Sequence, residues 1–135
     1  SQYGLKPAPA AEAQAALNRE TAIIAMIETP EAVANVEAIA AVEGIDVLLI
    51  GTQDLTTCMG IPGQIGHERV RAAYEAVAAA CQKHGRVLGM GGIYDREWAA
   101  TYMRLGARFV LGGADTGLLM AAAGERSKFL RSLAG

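Results

Sequence analysis

Two carboxylates, Glu28 and Asp54, stand where apolar stretches of the sequence end. Glu28 directly follows the run Thr21–Ile27, and Asp54 comes four residues after the run Ile45–Ile50. In folds that alternate strands and helices, functional residues cluster where strands end and loops begin. Two carboxylates that meet at such an edge suit a hard divalent cation, with water or a ligand filling its remaining positions. Glu28 and Asp54 are therefore the candidate metal ligands.

Each carboxylate alone also has a structural explanation. Glu28 would be a first-turn glutamate favoured by the dipole of the following helix, and Asp54 would cap a loop. Their equivalent positions in successive units favour a functional role. Asp115 follows a strand too, but it stands directly before a helix, and we interpret it as a cap rather than a ligand.

The segment Gly51-Thr52-Gln53-Asp54 offers a second kind of site. Its backbone N–H groups, at the start of a short helix, would bind the carboxylate of a substrate. An ordinary tight turn is the alternative. His67 precedes a helix and His84 lies in the last turn of one, so both have structural explanations. No residue of this chain is assigned a catalytic role.

The candidate residues are placed by four strands, each followed by a helix. Continuous apolar runs, typical of strands buried on both faces, predict strands at Thr21–Ile27, Ile45–Ile50, Arg86–Met90 and Phe109–Leu111. Helices are predicted at Ala10–Arg19, from Pro30 to a stop at Gly44, at Glu68–His84, from an Asp95 cap to Leu105, and at Thr116–Leu133. Ser1–Pro9 and Gly51–Gly60 are predicted loops. Such crossovers predict a parallel sheet.

The length decides between two parallel folds. A complete eight-stranded α/β barrel needs about 250 residues, so 135 residues hold roughly half of one. A small flavodoxin-like layer would need a phosphate-binding loop, and Gly89–Gly92 is too short for that role. A half-barrel leaves unpaired strand edges near Thr21 and Phe109, which favour association with a partner.

Composition narrows the class of protein. The chain is 52% hydrophobic and 19% charged, with a net charge of -2, so a packed core is expected and nucleic acid is an improbable partner. Apolar runs stay short of the ~20 residues of a membrane span, and we expect a cytoplasmic location without membrane association. Cys58 and Cys81 are expected to be free thiols. Met26, Met90 and Trp98 are interpreted as packing residues, with Met90 also close enough to a strand end to line a pocket.

The segment from Ile23 to Gly60 resembles the HpcH/HpaI aldolase family, the metal-dependent class II pyruvate aldolases. The resemblance rests on an Ile-Glu-Thr element at Glu28 and a Gly-x-x-Asp-Leu element at Asp54, and it continues through Gly106–Asp115 to the last helix. It implies that residues 1–135 are the C-terminal half of a (β/α)₈ barrel and supply about its last four β/α units.

The same resemblance implies an activity. Family members cleave 4-hydroxy-2-oxo acids to pyruvate, or hydroxypyruvate, and an aldehyde, and they catalyse the reverse aldol addition. Glu28 and Asp54 would ligate Mg²⁺ or Mn²⁺, with Co²⁺ or Zn²⁺ as alternatives. The N–H groups of Gln53 and Asp54 would bind the carboxylate, while Gly51 and Thr52 shape the turn. A homo-oligomer is implied, a hexamer whose dimers exchange the final helix.

Some expected groups lie outside these residues. The resemblance places the base histidine, its aspartate partner and an arginine in the N-terminal half of the barrel. Met26 stands where some members have glutamine. A citrate-lyase-like or malyl-CoA-lyase-like enzyme is one alternative, although Gln53 favours the aldolases. A non-catalytic half-barrel fragment is the other.

Overall fold

A computed structural model of the chain describes residues 9–133. This part of the chain forms one sheet, and most of its helices pack on one face; the first and last helices bury no residue. Its strands are β1 (Ile24–Ile27), β2 (Val47–Gly51), β3 (Val87–Gly91) and β4 (Phe109–Val110). Its helices are α1 (Ala10–Glu20), α2 (Pro30–Ala34), α3 (Val36–Ala40), α4 (Thr52–Cys58), α5 (Glu68–His84), α6 (Arg96–Arg104) and α7 (Asp115–Ser132). Of the predicted loop Ser1–Pro9, all but Pro9 lies outside the described residues.

The sheet is parallel throughout, as predicted. Its strand order is β1-β2-β3-β4, and the register pairs Ile27 with Ile50, Ile50 with Met90, and Met90 with Val110. β1 and β4 are the outer strands, so the predicted edges are confirmed. Parallel strands end at the same edge of a sheet, and the segments that follow β1 and β2 are therefore neighbours.

The two faces of the sheet differ in what covers them. Alternate strand residues join α5 and its neighbours in the core, among them Leu48, Ile50, Leu88 and Met90. The residues between them point to the opposite face because side chains alternate along a strand. On that face Ile24 and Met26 remain 38% and 51% exposed. One face of the sheet is thus packed by α5 and its neighbours. The other, called the uncovered face below, is apolar: Ile24 and Met26 are exposed on it, although Val47 and Leu49 of the central strand β2 are buried.

This asymmetry corrects two predictions. Every residue of β2 is buried, as expected of a central strand, but in β1 only Ile27 is buried. β1 lies at the edge: Ala25 is half-buried against the core, whereas Ile24 and Met26 are exposed on the opposite face. Met26, predicted to be a packing residue, lies on the uncovered face, whereas Met90 and Trp98 do pack with the core. Met90 faces the helices and does not line the mouth of the sheet.

Several element boundaries also differ from prediction. β1 begins at Ile24, because Thr21 still belongs to the end of α1 and donates its hydroxyl to the Leu17 carbonyl. The helix predicted after Pro30 is broken at Asn35, whose side-chain amide donates to the Glu31 carbonyl. The predicted loop Gly51–Gly60 contains α4, since Leu55 and Thr56 are buried on one side of it.

Other local predictions are confirmed. Asp95 caps α6 by accepting from the N–H groups of Glu97 and Trp98. Cys58 and Cys81 are free. Within residues 9–133, no helix combines the length and the apolar character needed to cross a membrane.

Candidate active site

Glu28 lies directly beyond the end of β1, half-buried and beside Gly51 of β2. A β-carbon built on Gly51 would lie 2.6 Å from Glu28 Oε1 and 2.8 Å from its Cγ. The carboxylate therefore occupies the space that a side chain at position 51 would fill. The absence of a side chain at position 51 lets Glu28 rest against the backbone at the carboxyl end of β2.

Asp54 is exposed and lies in the first turn of α4, which begins directly after β2. A helix rises about 1.5 Å per residue, so Asp54 is displaced by less than one turn from the backbone that Glu28 contacts. Both predicted metal ligands thus stand at the same edge of the sheet, on neighbouring strand ends. Asp115, in contrast, is the first residue of α7 and accepts the Thr116 N–H at 2.7 Å. The N-cap of α7 is Ala114 and no side chain caps this helix, so the prediction that Asp115 is its cap is wrong.

Glu28 and Asp54 offer a metal ion only two carboxylates, and this small number of ligands restricts which metals the site suits. Among residues 9–133 there is no group of three or more His, Cys, Asp or Glu that could hold a metal ion. A structural zinc site normally draws four protein ligands, whereas Mg²⁺ is usually bound through one or two carboxylates together with water and substrate. The donor set therefore fits a hard divalent cation that also contacts a small ligand.

The first turn of α4 adds hydrogen-bond donors to this edge. Its N-cap is Gly51, which has no side chain to accept a bond from the helix. The first N–H groups of a helix lack acceptors within the helix, so those of Gln53 and Asp54 are suited to an anion. The Gln53 side chain is already hydrogen-bonded. Its Nε2 donates to the carbonyl of Gly92, the residue after β3, over 2.8 Å.

Thr52 contributes to the interior of the protein rather than to the open edge. Its side chain is fully buried, and its hydroxyl lies 2.8 Å from the hydroxyl of Tyr74, which is also fully buried. The Tyr74 ring stacks on Tyr102, with 3.8 Å between ring centroids. Burial raises the pKa of Tyr74, so its hydroxyl stays protonated at neutral pH.

Tyr74 was not among the residues selected from the sequence. The available signal was its position among the apolar residues of α5, because a buried tyrosine hydroxyl usually needs a partner. The sequence does not show that this partner is Thr52. Both histidines have partners elsewhere in the chain: His67 Nδ1 accepts the Arg69 N–H, and His84 Nε2 lies 2.8 Å from Glu37 Oε1.

Several clefts of the described residues lie away from the carboxylate pair, and two of them are informative. One, of about 330 Å³, is formed by Tyr94, Gly112–Ala114, Gly117 and Leu118 beyond the ends of β3 and β4. The larger, of about 510 Å³, lies between α5 and the segment before β4 and contains neither Glu28 nor Asp54. Size alone therefore does not indicate the functional site.

A model of the family described as HpcH/HpaI aldolase/citrate lyase matches residues 6–122, most of the chain. The chain belongs to the HpcH/HpaI aldolase/citrate lyase family. The predicted resemblance is confirmed.

Named relatives give the same result. The chain is 46% identical to a 4-hydroxy-4-methyl-2-oxoglutarate aldolase of Hapsidospora irregularis over 78% of this chain and 40% of that protein. It is 38% identical to a hydroxypyruvate/pyruvate aldolase of Pseudomonas aeruginosa over 87% of this chain and 41% of that protein. An HpcH/HpaI aldolase from Desulfitobacterium hafniense DCB-2 superposes with a TM-score of 0.79 at 32% identity.

The extent of these matches bears on the fold. The structural match covers 93% of this chain and 49% of the Desulfitobacterium protein, so the chain spans about half of that solved structure and about 40% of the two curated relatives. The four β/α units are therefore those of a TIM-barrel aldolase, as the sequence predicted.

Proposed function

We propose that this chain carries the metal-binding and carboxylate-binding part of a class II pyruvate aldolase. The reaction is cleavage of 4-hydroxy-2-oxo acids to pyruvate or hydroxypyruvate and an aldehyde, and the reverse aldol addition. The observation that carries the proposal is the Glu28 carboxylate seated over Gly51, beside the helix start that bears Asp54. Family membership and the aldolase names of the relatives support it.

The residues have separate roles in this proposal. Glu28 and Asp54 hold the divalent ion, Mg²⁺ or Mn²⁺, with Co²⁺ or Zn²⁺ as alternatives. A bound ion of this kind supplies Lewis-acid polarisation of the 2-oxo group and compensates negative charge. The N–H groups of Gln53 and Asp54 bind the substrate carboxylate, and Gly51 and Thr52 shape the backbone that presents them. None of these residues is assigned as the general base.

In this proposal the general base and the remaining substrate contacts come from the N-terminal half of the barrel. The uncovered face of the sheet, with Ile24 and Met26, accepts the N-terminal half of the barrel, and that half brings the base histidine and the arginine. The assembly is a homo-oligomer, a hexamer in which α7 packs on a neighbouring copy. Cytoplasmic location completes the proposal.

Pyruvate release from a 4-hydroxy-2-oxo acid tests the activity in the complete protein that carries these residues. We expect turnover with Mn²⁺ or Mg²⁺, loss of turnover with EDTA, and loss of both turnover and Mn²⁺ binding in Glu28→Gln. Glu43→Gln, which changes an exposed glutamate elsewhere, is the control and should keep both. Turnover that persists in EDTA would contradict the proposal.

A citrate-lyase-like or malyl-CoA-lyase-like reaction is the second candidate, because the matching family includes citrate lyases. It uses the same two carboxylates on an acyl-CoA. Release of a CoA-linked product, without cleavage of the 4-hydroxy-2-oxo acid, would favour it. Binding of Mn²⁺ with neither reaction would instead favour the non-catalytic fragment.

A further inference from the structure

The hydroxyl groups of Thr52 and Tyr74 form a closed pair inside the protein. Both side chains are 0% exposed, and their oxygens lie 2.8 Å apart. Within the described part of the chain, no buried side-chain nitrogen or oxygen lacks a hydrogen-bond partner. Each of these two hydroxyls therefore depends on the other, because burial denies both of them water.

This pair holds the start of α4. The helix has only seven residues, and its N-cap, Gly51, supplies no side-chain cap. A short helix without a cap is weakly defined by its own backbone, since helix formation is cooperative and its first turn is costly to form. Thr52 is its first residue, and Asp54 lies two positions later. The bond to Tyr74 therefore helps to fix the turn on which Asp54 is presented, together with the bond from Gln53 Nε2 to the Gly92 carbonyl.

Tyr74 is itself firmly placed. It lies on α5, a helix of 17 residues, and its ring stacks on Tyr102 of α6. The Tyr102 hydroxyl donates to the Ile65 carbonyl at 2.6 Å, away from α4. The Tyr74 hydroxyl is thus one point at which the packed helical layer contacts the helix that carries a proposed metal ligand, beside the buried Leu55 side chain.

We propose that Tyr74 is a positioning residue for the metal site and acts through the Thr52 hydroxyl on the first turn of α4. The inference rests on the proposed function, because it requires Asp54 to be a metal ligand. Residues that do not touch a metal but orient its ligands commonly change metal affinity by about 10- to 100-fold when they are removed. The expected consequence of losing the Tyr74 hydroxyl is a loss of that size in Mn²⁺ affinity.

Tyr74→Phe and Tyr102→Phe are a matched pair for the test. Each removes one buried hydroxyl and keeps the stacked rings, but only Tyr74 contacts Thr52. Titration calorimetry with Mn²⁺ on the complete protein should show affinity weakened about 10- to 100-fold in Tyr74→Phe and unchanged in Tyr102→Phe. Equal affinities in the two variants, when both have lost similar thermal stability, would overturn the inference.

Thr52→Val tests the same hydrogen bond from its other partner, and it can be used if Tyr74→Phe does not fold. It removes the other hydroxyl at nearly constant shape, and we expect a similar loss of Mn²⁺ affinity. The double variant should bind no more weakly than either single variant, because both remove one interaction. Additive losses would overturn the inference alone, whereas a wild-type protein that binds no Mn²⁺ would overturn the proposed function as well.

Discussion

Gly51 shows how a single residue type sets the geometry of the proposed metal site. Its φ of -81° is open to other residues, so a side chain there is excluded by space rather than by backbone conformation. In Gly51→Ala the new methyl group would lie 2.6 Å from Glu28 Oε1 and would displace that carboxylate. We expect Mn²⁺ affinity to fall by about tenfold or more, measured by titration calorimetry.

In Gly51→Ala the stability of the fold should change less than the affinity for Mn²⁺. The clash is with the Glu28 side chain from Cγ to Oε1, which must rotate away, and replacing Gly by Ala at a compatible φ, a gain of about 0.4–1 kcal/mol, offsets that cost. The denaturation midpoint should therefore stay near that of the wild type. Gly124→Ala, in a helix and with no atom within 4 Å of the added carbon, is the control and should keep full affinity. Unchanged affinity in Gly51→Ala would show that Glu28 is not held as described.

At the scale of elements, one exposed cluster joins α3 to α5. Glu37 accepts hydrogen bonds from Lys83 and His84. The bond from Lys83, and then that from His84, lowers the pKa of Glu37 below its ordinary value of 4.5. A carboxyl group whose pKa is lower in the folded state stabilises the fold above its unfolded pKa, and this contribution is lost as the pH falls through the folded value.

The pH dependence of stability tests this cluster. Glu37→Gln should melt below the wild type at pH 5 to 6, and the difference should shrink as the pH is lowered from about 4.5 towards 3. Thermal unfolding followed by circular dichroism measures both. Glu43→Gln, a change to an exposed glutamate outside the cluster, should show no such convergence. A gap between Glu37→Gln and wild type that stays constant with pH would contradict the interpretation.

The helices and strands also show where the local sequence was insufficient to predict the structure. The apolar runs predicted all four strands, because burial in a parallel sheet requires such runs. The break at Asn35 was missed, and so was the extent of α4, which runs to Cys58 through most of the predicted loop. Asn and Thr side chains can form hydrogen bonds to nearby backbone groups and can also occupy helices. Tertiary packing therefore decides whether such a residue continues a helix or interrupts it.

For the whole molecule, the uncovered face of the sheet is the dominant feature. Ile24 and Met26 on β1 are exposed, and so are Val87 and Leu111 farther along the same face. Apolar surface of this kind on an unpaired sheet favours association. Residues 1–135 produced alone should therefore sediment as aggregates or oligomers.

Met26→Lys should have opposite effects in two settings. In residues 1–135 alone it should reduce association, because it places a charge on the uncovered face. In the complete protein it should lower the melting temperature, because the proposed N-terminal half would bury that charge. Met103→Lys, on the exposed surface of α6, is the control and should do neither. A Met26→Lys variant that melts like the wild type in the complete protein would show that this face stays open.

The sequence by itself determined the order of strands and helices, the parallel sheet and the two strand-end carboxylates, because each depends on local runs and spacing. Only the tertiary structure decided that Glu28 rests on Gly51, that Thr52 pairs with Tyr74, and that Met26 is exposed. Those facts depend on which residues distant in sequence become neighbours. Periodicity reports which residues are suited to burial, but the pairing of strands and helices decides which surface buries each one.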